Sequence, residues 1–358
     1  MIRCDALIVG GGPAGSTCAR HLRLAGWNVV VADRERFPRD KVCAGWLTPG
    51  VFAALELDPD EYRASGATLE EITAFRTSVI GRPPIDTAYP RVVSYSVRRR
   101  EFDAFLLRRA GVRVIEGEGI DELRHDGSRW IANGRIAAPV LIGAGGHFCP
   151  VARALGEAPG AWPVVAKEAE FPRAGHADHI AAHTPWLFFC EDLDGYGWCV
   201  PKGDYLNVGI GRRDSRGFAG HVKSFVTFLE HEGIVSGLSN VRWRGHAYLA
   251  AGIGPRRVVA PGALLIGDAA GLAYPASGEG IRPAIESGRL AADTLITARG
   301  GHEVSDLQPY AESLRVAHPA VPRRSAPAQA VAAAIGRTLL RSPALTRRLI
   351  LDRWFLQA

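Results

Sequence analysis

Asp5–Arg34 reads DALIVGGGPAGSTCARHLRLAGWNVVVADR, and this stretch decides the fold. The apolar run ALIV predicts a strand, the glycine-rich GGGPAG a tight turn, STCARHLRLAG a helix, and WNVVVADR a second strand. Both strand segments are apolar without alternation, as expected for parallel strands covered on both faces. Gly10, Gly12 and Gly15 fit G-x-G-x-x-G between strand and helix. The first glycine permits the turn, the second lets backbone approach a pyrophosphate, and the third allows close helix packing. The helix N-terminus adds amide donors and a positive dipole. Asp33 ends the next strand, where its carboxylate would accept hydrogen bonds from a ribose. The stretch therefore predicts an α/β nucleotide-binding lobe.

A second glycine-rich loop, GDAAGLAYPASGEGI, runs from Gly267 to Ile281 after the apolar segment Ala263–Ile266. Asp268 closes that strand, and Pro275 and Gly278-Glu279-Gly280 lead into a helix expected over Ile281–Ala298. A carboxylate there can hold a ribitol hydroxyl, and a helix N-terminus can stabilise negative charge on a reduced isoalloxazine. NAD has no ribitol, so the two loops together predict FAD.

Further short strands are expected at Val112–Ile115 and Val140–Ile142. Between Trp162 and Tyr248 the character changes to aromatic-rich segments such as WLFFCEDL, YGWCVPK and YLNVGIGR, with turn signals DLDG and KGD. These predict an antiparallel sheet. The expected architecture is α/β: a Rossmann-like FAD-binding lobe (1–60, 92–160 and 255–305), an inserted antiparallel β-sheet substrate lobe (61–91 and 161–254) and a helical C-terminal tail (306–358). Pro319–Pro327 should break the chain before that tail, and Ser342-Pro343 reads as an N-cap followed by proline at the first helical position.

The chain has 358 residues, 47% of them apolar, enough for a large core and two lobes. It lacks an apolar run long enough to span a bilayer, and its first residues do not read as a signal peptide, so a cytoplasmic enzyme is expected. Six cysteines without a CxxC pair read as reduced thiols. The formal charge of +6 is uneven: from Arg315 onward there are eight arginines and one aspartate. The simplest reading is a helical tail packed on the body; the alternative is a peripheral membrane contact through its basic charge. Nothing resembles a nucleic-acid platform. His176, His179 and His183 have helix-like spacing but no accompanying cysteine or acid cluster, so no metal site is expected.

GGGPAG, RDKVCAGWLTP (Arg39–Pro49), VRRREFD (Val97–Asp103), LIGAGG (Leu141–Gly146) and GDAAGLAYPASGEGI together resemble the geranylgeranyl reductase family of FAD-dependent oxidoreductases, within the flavoprotein monooxygenase and halogenase superfamily. The resemblance spans about Met1 to Ala298. It implies FAD contacts at Ala14, Asp33, Cys43, Ala44, Gly45, Arg99, Asp268, Gly280 and Ile281. The family's R-x-x-F-D falls on Arg99, Phe102 and Asp103, with Arg98 the competing neighbour. Its Y-x-W-x-F-P motif falls on Tyr196, Trp198, Val200 and Pro201, with valine in place of phenylalanine; Tyr196 and Trp198 would line an apolar substrate cavity or simply pack the sheet. Ala44 stands where the family usually has glycine, and Gly143-Ala144-Gly145-Gly146 lacks the aspartate of the hydroxylases' GADG.

Cys43 is the catalytic candidate. Arg39 and Lys41 lie close to it in sequence, and its thiol could tune the flavin or deliver a proton, in place of a tyrosine or water, or Cys43 could simply be a small backbone-contacting residue of an FAD loop. Glu279 suits a structural role in its loop. By resemblance the activity is reduction of a carbon–carbon double bond in a polyprenyl or other apolar substrate, with an external electron donor. The alternative is a monooxygenase acting on an aromatic or a partner-protein side chain.

Overall fold

Six strands form the sheet that the opening stretch begins. In the computed structural model they lie in the order Val259–Ala260, Ala263–Leu265, Val140–Gly143, Ala6–Val9, Val29–Asp33, Arg113–Glu116. All neighbours are parallel except the hairpin of the first two. Ala6–Val9 and Val29–Asp33 are buried throughout, which is why their sequences run apolar without alternation. The structure describes all residues except 158–162, 214, 249–255, 276, 299, 320–325 and 357–358. The expected break at Pro319–Pro327 therefore lies mostly outside the described residues.

The helix Pro13–Leu24 packs along the helix Ile281–Thr297. At their crossing Gly288 meets the backbone of Ala14 so closely that any side chain would collide with the Ala14 carbonyl. Gly10 has φ +115°, a conformation L side chains rarely adopt, and a Cβ there would run into the Ala144 carbonyl. Both contacts draw sequence-distant backbone together around the first loop. A smaller sheet (Ile2–Arg3, Ile136–Ala138, Trp130–Ala132, Leu123–His125) shares this core.

The second large sheet has seven strands, in the order Arg244–Tyr248, Val164–Pro172, Tyr205–Arg212, Gly195–Lys202, Trp186–Phe189, Ala74–Val79, Ile85–Ala88. It is antiparallel except where Trp186–Phe189 runs parallel to Ala74–Val79. That pair can be parallel because a long excursion of chain separates the two strands. Side-chain alternation gives the sheet two faces. Gly197 sits directly beneath the Phe225 ring of the helix Phe218–His231. Tyr196 and Trp198, one residue either side, point the other way and meet the C-terminal region.

The C-terminal segment comprises the helices Val304–Ala317 and Ala326–Leu339, a short turn Pro343–Leu345 and a π-helical stretch Thr346–Phe355. Ser342 does precede a helix-starting Pro343, although its hydroxyl makes no capping bond. The tail packs on the body: Leu340, Ile350, Leu351, Phe355 and Leu356 join the cluster of Ile72, Phe75, Leu187 and Trp198. Tyr89 Oη donates to Asp352 (2.7 Å), and Arg337 Nη1 donates to the Glu191 carbonyl (2.9 Å).

His176, His179 and His183 do not lie on a helix. Arg173 bonds both Asp178 and the Ile180 carbonyl and holds the segment as a loop, with His176 against the Ser236 carbonyl and His183 against that of Glu71. Among the described residues no helix is long and apolar enough to cross a membrane.

Candidate active site

One cavity of about 2100 Å³ runs between the two sheets and the C-terminal helices. That is more than twice the ~1000 Å³ upper end of an ordinary ligand pocket, room for a dinucleotide and a second molecule. Asp33, Gly12 and Ala14 line one wall, and Cys43, Ala44, Arg99, Asp268, Pro275, Gly278, Gly280 and Ile281 continue it. Tyr196 and Trp198 lie on the facing wall. Gly10, Gly15 and Gly45 are not on the surface of the cavity. They stand behind it, as the packing glycines that let the loops approach one another.

The wall's chemistry follows from its elements. Gly12 is the N-cap of Pro13–Leu24, and no side chain caps that helix. A Cβ added to Gly12 would find only Arg39 Nη2 nearby, at 3.5 Å, so the backbone is open to a bulky anion. Asp33 accepts from the Gly11 amide (2.7 Å) and the Glu35 amide (2.9 Å), which fixes its carboxylate at the strand end. A second helix N-terminus, at Gly280, also lacks a side-chain cap and opens on the same cavity.

Asp268 is partly buried on the same cavity wall. Burial alone would raise its carboxyl, but the His246 hydrogen bond and the Lys41 charge outweigh that and hold it below the usual range. Lys41 Nζ lies 2.5 Å from His246 Nε2, and burial beside Arg99 and Arg39 pushes the lysine down to about 8. The sequence reading missed His246 as a site residue. Its strand, Arg244–Tyr248, belongs to the other sheet, and no spacing rule connects it to Asp268. Two helix N-termini, an open glycine backbone and carboxylates at both ends fit an extended dinucleotide with a ribitol, so the described residues suit FAD.

Arg99 and Arg98 part company at the start of the helix Arg99–Ala110. Arg99 faces the cavity and binds Asp103 through two bonds (2.7 and 2.9 Å), with Arg39 also on Asp103 at 3.3 Å. Arg98 turns away, to Glu170, Glu101 and the face of Tyr205. Cys43 is half-buried, its sulfur accepting from the Gly45 amide (3.3 Å), with the Arg99 guanidinium also beside it.

The far chamber is aromatic. Phe355 stacks on Trp46 (5.2 Å between centroids, 8° between planes) and meets Tyr196 edge-on at 5.3 Å. Tyr196 Oη donates to the Ser277 carbonyl (2.5 Å), and Trp198 Nε1 donates to Asn207 (2.7 Å), so both rings present apolar faces with their polar ends satisfied.

Glu279 lines the same cavity, and burial raises its carboxyl from 4.5 to about 7. The folded chain thus holds a proton there that the unfolded chain releases. Stability falls as pH rises through that window and levels off above about 7. A Glu279→Gln variant is expected to match the wild-type apoprotein near about pH 5 and to melt about 5 °C higher near about pH 8. A melting difference that stays constant over that range would show an unshifted carboxyl.

Residues 5–105 match the family described as DAO, FAD dependent oxidoreductase. The chain is 31% identical over 350 residues to the menaquinone reductase of Mycolicibacterium smegmatis, covering 86% of this chain and 80% of that protein. It is 28% identical over 340 residues to the digeranylgeranylglycerophospholipid reductase of Methanothrix thermoacetophila, covering 88% and 83%. Its fold is shared with a geranylgeranyl bacteriochlorophyll reductase-like protein of Thermoplasma acidophilum (TM-score 0.75, 20% identity, 97% and 90% covered). Set beside a cavity that suits FAD, these likenesses identify the protein as an FAD-dependent enzyme. The chain belongs to the geranylgeranyl reductase family of FAD-dependent oxidoreductases.

Proposed function

We propose that the protein saturates carbon–carbon double bonds in a polyprenyl chain, or in another apolar substrate, held in the aromatic chamber. The observation that carries this reading is the junction of two unlike surfaces in one cavity: a polar wall of glycine backbone and Asp268, and an apolar wall built by Trp46, Trp198, Leu340, Ile350 and Phe355. Relatives named for a digeranylgeranyl glycerophospholipid, a geranylgeranyl diphosphate and menaquinone, itself a prenylated quinone, differ in headgroup and share prenyl chemistry.

In this reading the backbone at Gly12 and Ala14 and the first-turn amides hold the FAD pyrophosphate, Asp33 a ribose, and Asp268 a ribitol hydroxyl. Gly10 and Gly15 shape that loop, and Pro275, Gly278, Gly280 and Ile281 frame the ring end together with Cys43, Ala44, Gly45 and Arg99. FAD, reduced by an external donor, supplies hydride when bound. Saturation also needs a proton on the second carbon, and the chain provides it. Cys43 is the catalytic residue we assign, its sulfur on the cavity wall and fixed by the Gly45 amide. Tyr196 and Trp198 orient the prenyl chain along an apolar wall that disfavours water.

The test is anaerobic. Reduced, FAD-loaded enzyme mixed with geranylgeranyl substrates is expected to return to the oxidised flavin spectrum without oxygen, with product two hydrogens heavier per bond. Inertness to every prenyl alkene, together with one labelled oxygen atom in a product formed under labelled dioxygen, would replace this reading with a monooxygenase.

A further inference from the structure

We propose that the helix Ala326–Leu339 is an interfacial lid: its inner face roofs the cavity, and its outer face docks on an anionic lipid surface. Gln329, Ala332, Ala333, Gly336 and Leu340 line the cavity, at the spacing of one helical face. Val331 and Ile335 share the opposite face, roughly 200–240° around from Gln329 at about 100° per residue. They are 60% and 57% exposed. From Ala328 to Leu339 the only charged residue is Arg337, and that side chain is tied to the Glu191 carbonyl. A surface helix in water ordinarily carries charge on its outer side, and one that is apolar all round is ordinarily covered. Here nothing described in this chain covers Val331 and Ile335.

The flanking charge says what fits. Arg341, Arg347, Arg348 and Arg353 are exposed just beyond the helix. The segment's single acid, Asp352, is engaged by Tyr89 and Arg347. On the body side, Asp192 pairs with Arg212 and Asp194 accepts from Gln329, which leaves Glu191 as the exposed acid beside the helix. Leu345 is also exposed, and Trp354 stands both at the surface and on the cavity wall. Arginines beside exposed aliphatic side chains and a tryptophan at the border match a helix lying in a membrane interface. An acidic protein would satisfy the arginines but would leave Val331 and Ile335 in water. The inference rests on the function proposed above only for what passes the lid, an apolar chain drawn straight from the bilayer.

The experiment uses the full-length, FAD-loaded enzyme and vesicles of phosphatidylglycerol mixed with phosphatidylcholine, or of phosphatidylcholine alone. Wild type is expected to sediment with the mixed vesicles. V331E/I335E should bind them at least about tenfold more weakly. R341Q/R348Q/R353Q should lose about a hundredfold at low salt. All three proteins should keep wild-type flavin content, melting temperature and turnover of a short, water-dispersed prenyl alcohol. Wild type that ignores the mixed vesicles overturns docking, as does V331E/I335E bound as tightly as wild type. Loss in the arginine variant alone overturns it in favour of a purely electrostatic contact, such as an acidic protein. If vesicle binding behaves as stated while no protein reduces the prenyl alcohol, docking stands and the reductase reading fails.

Discussion

Gly12→Leu is expected to yield a folded protein that purifies without flavin. A Cβ at this position meets only the tip of the Arg39 side chain, so the fold tolerates it. The added side chain instead fills the space in front of the helix N-terminus and holds a pyrophosphate away from the amides. Losing two charge-assisted hydrogen bonds at ~1.5–3 kcal/mol each lowers affinity about 10²- to 10⁴-fold. Flavin absorbance of the purified protein and titration of the apoprotein with FAD measure this, and far-ultraviolet dichroism confirms the fold. A variant that retains flavin like wild type would move the pyrophosphate elsewhere. Gly10→Ala makes the instructive contrast: it forces a collision with the Ala144 carbonyl and should fail at folding rather than at binding.

Phe355→Ala should be the most destabilising single change in the tail. The ring is 4% exposed and packs on Trp46, Phe189 and Tyr196. Removing a buried phenylalanine costs about 3–5 kcal/mol, which corresponds to a melting point about 10 °C lower. If the tail were only an address, the melting point would not move. A fall of that size with FAD still bound identifies the Thr346–Phe355 stretch as part of the enzyme's core.

The opening loop was legible because its constraints are local. Glycines at 10, 12 and 15 between two apolar runs admit few backbone solutions, and Asp33 follows at the strand end. The same holds for the aromatic strands, whose period matches a sheet with two faces. What escaped were meetings across the fold. His246 reaches Asp268 only because the edge strand of one sheet passes the end of the other, and Phe355 reaches Tyr196 only once the tail folds back. The three histidines show the same limit of spacing read without the fold. Three residues at helical intervals carry no helix when Arg173 and Asp178 tie the backbone into a loop. The basic tail gave its charge from sequence, but which of its faces is covered depends on the sheet beneath.

The strand order has a consequence for the timing of synthesis. Val140–Gly143 emerges from the ribosome long after its neighbour Ala6–Val9, and its other partner Ala263–Leu265 later still. Such distant pairings place a large loop-closure entropy ahead of any reward, and folding slows accordingly. Asp268 and the Gly280 helix end follow the last strand of that sheet, and Phe355, which seals the aromatic wall, follows them both. The nascent chain thus presents its phosphate-binding loop long before the flavin pocket is complete. Loading with cofactor is therefore a late step of maturation, one that waits for the Phe355 segment rather than for the glycine loop.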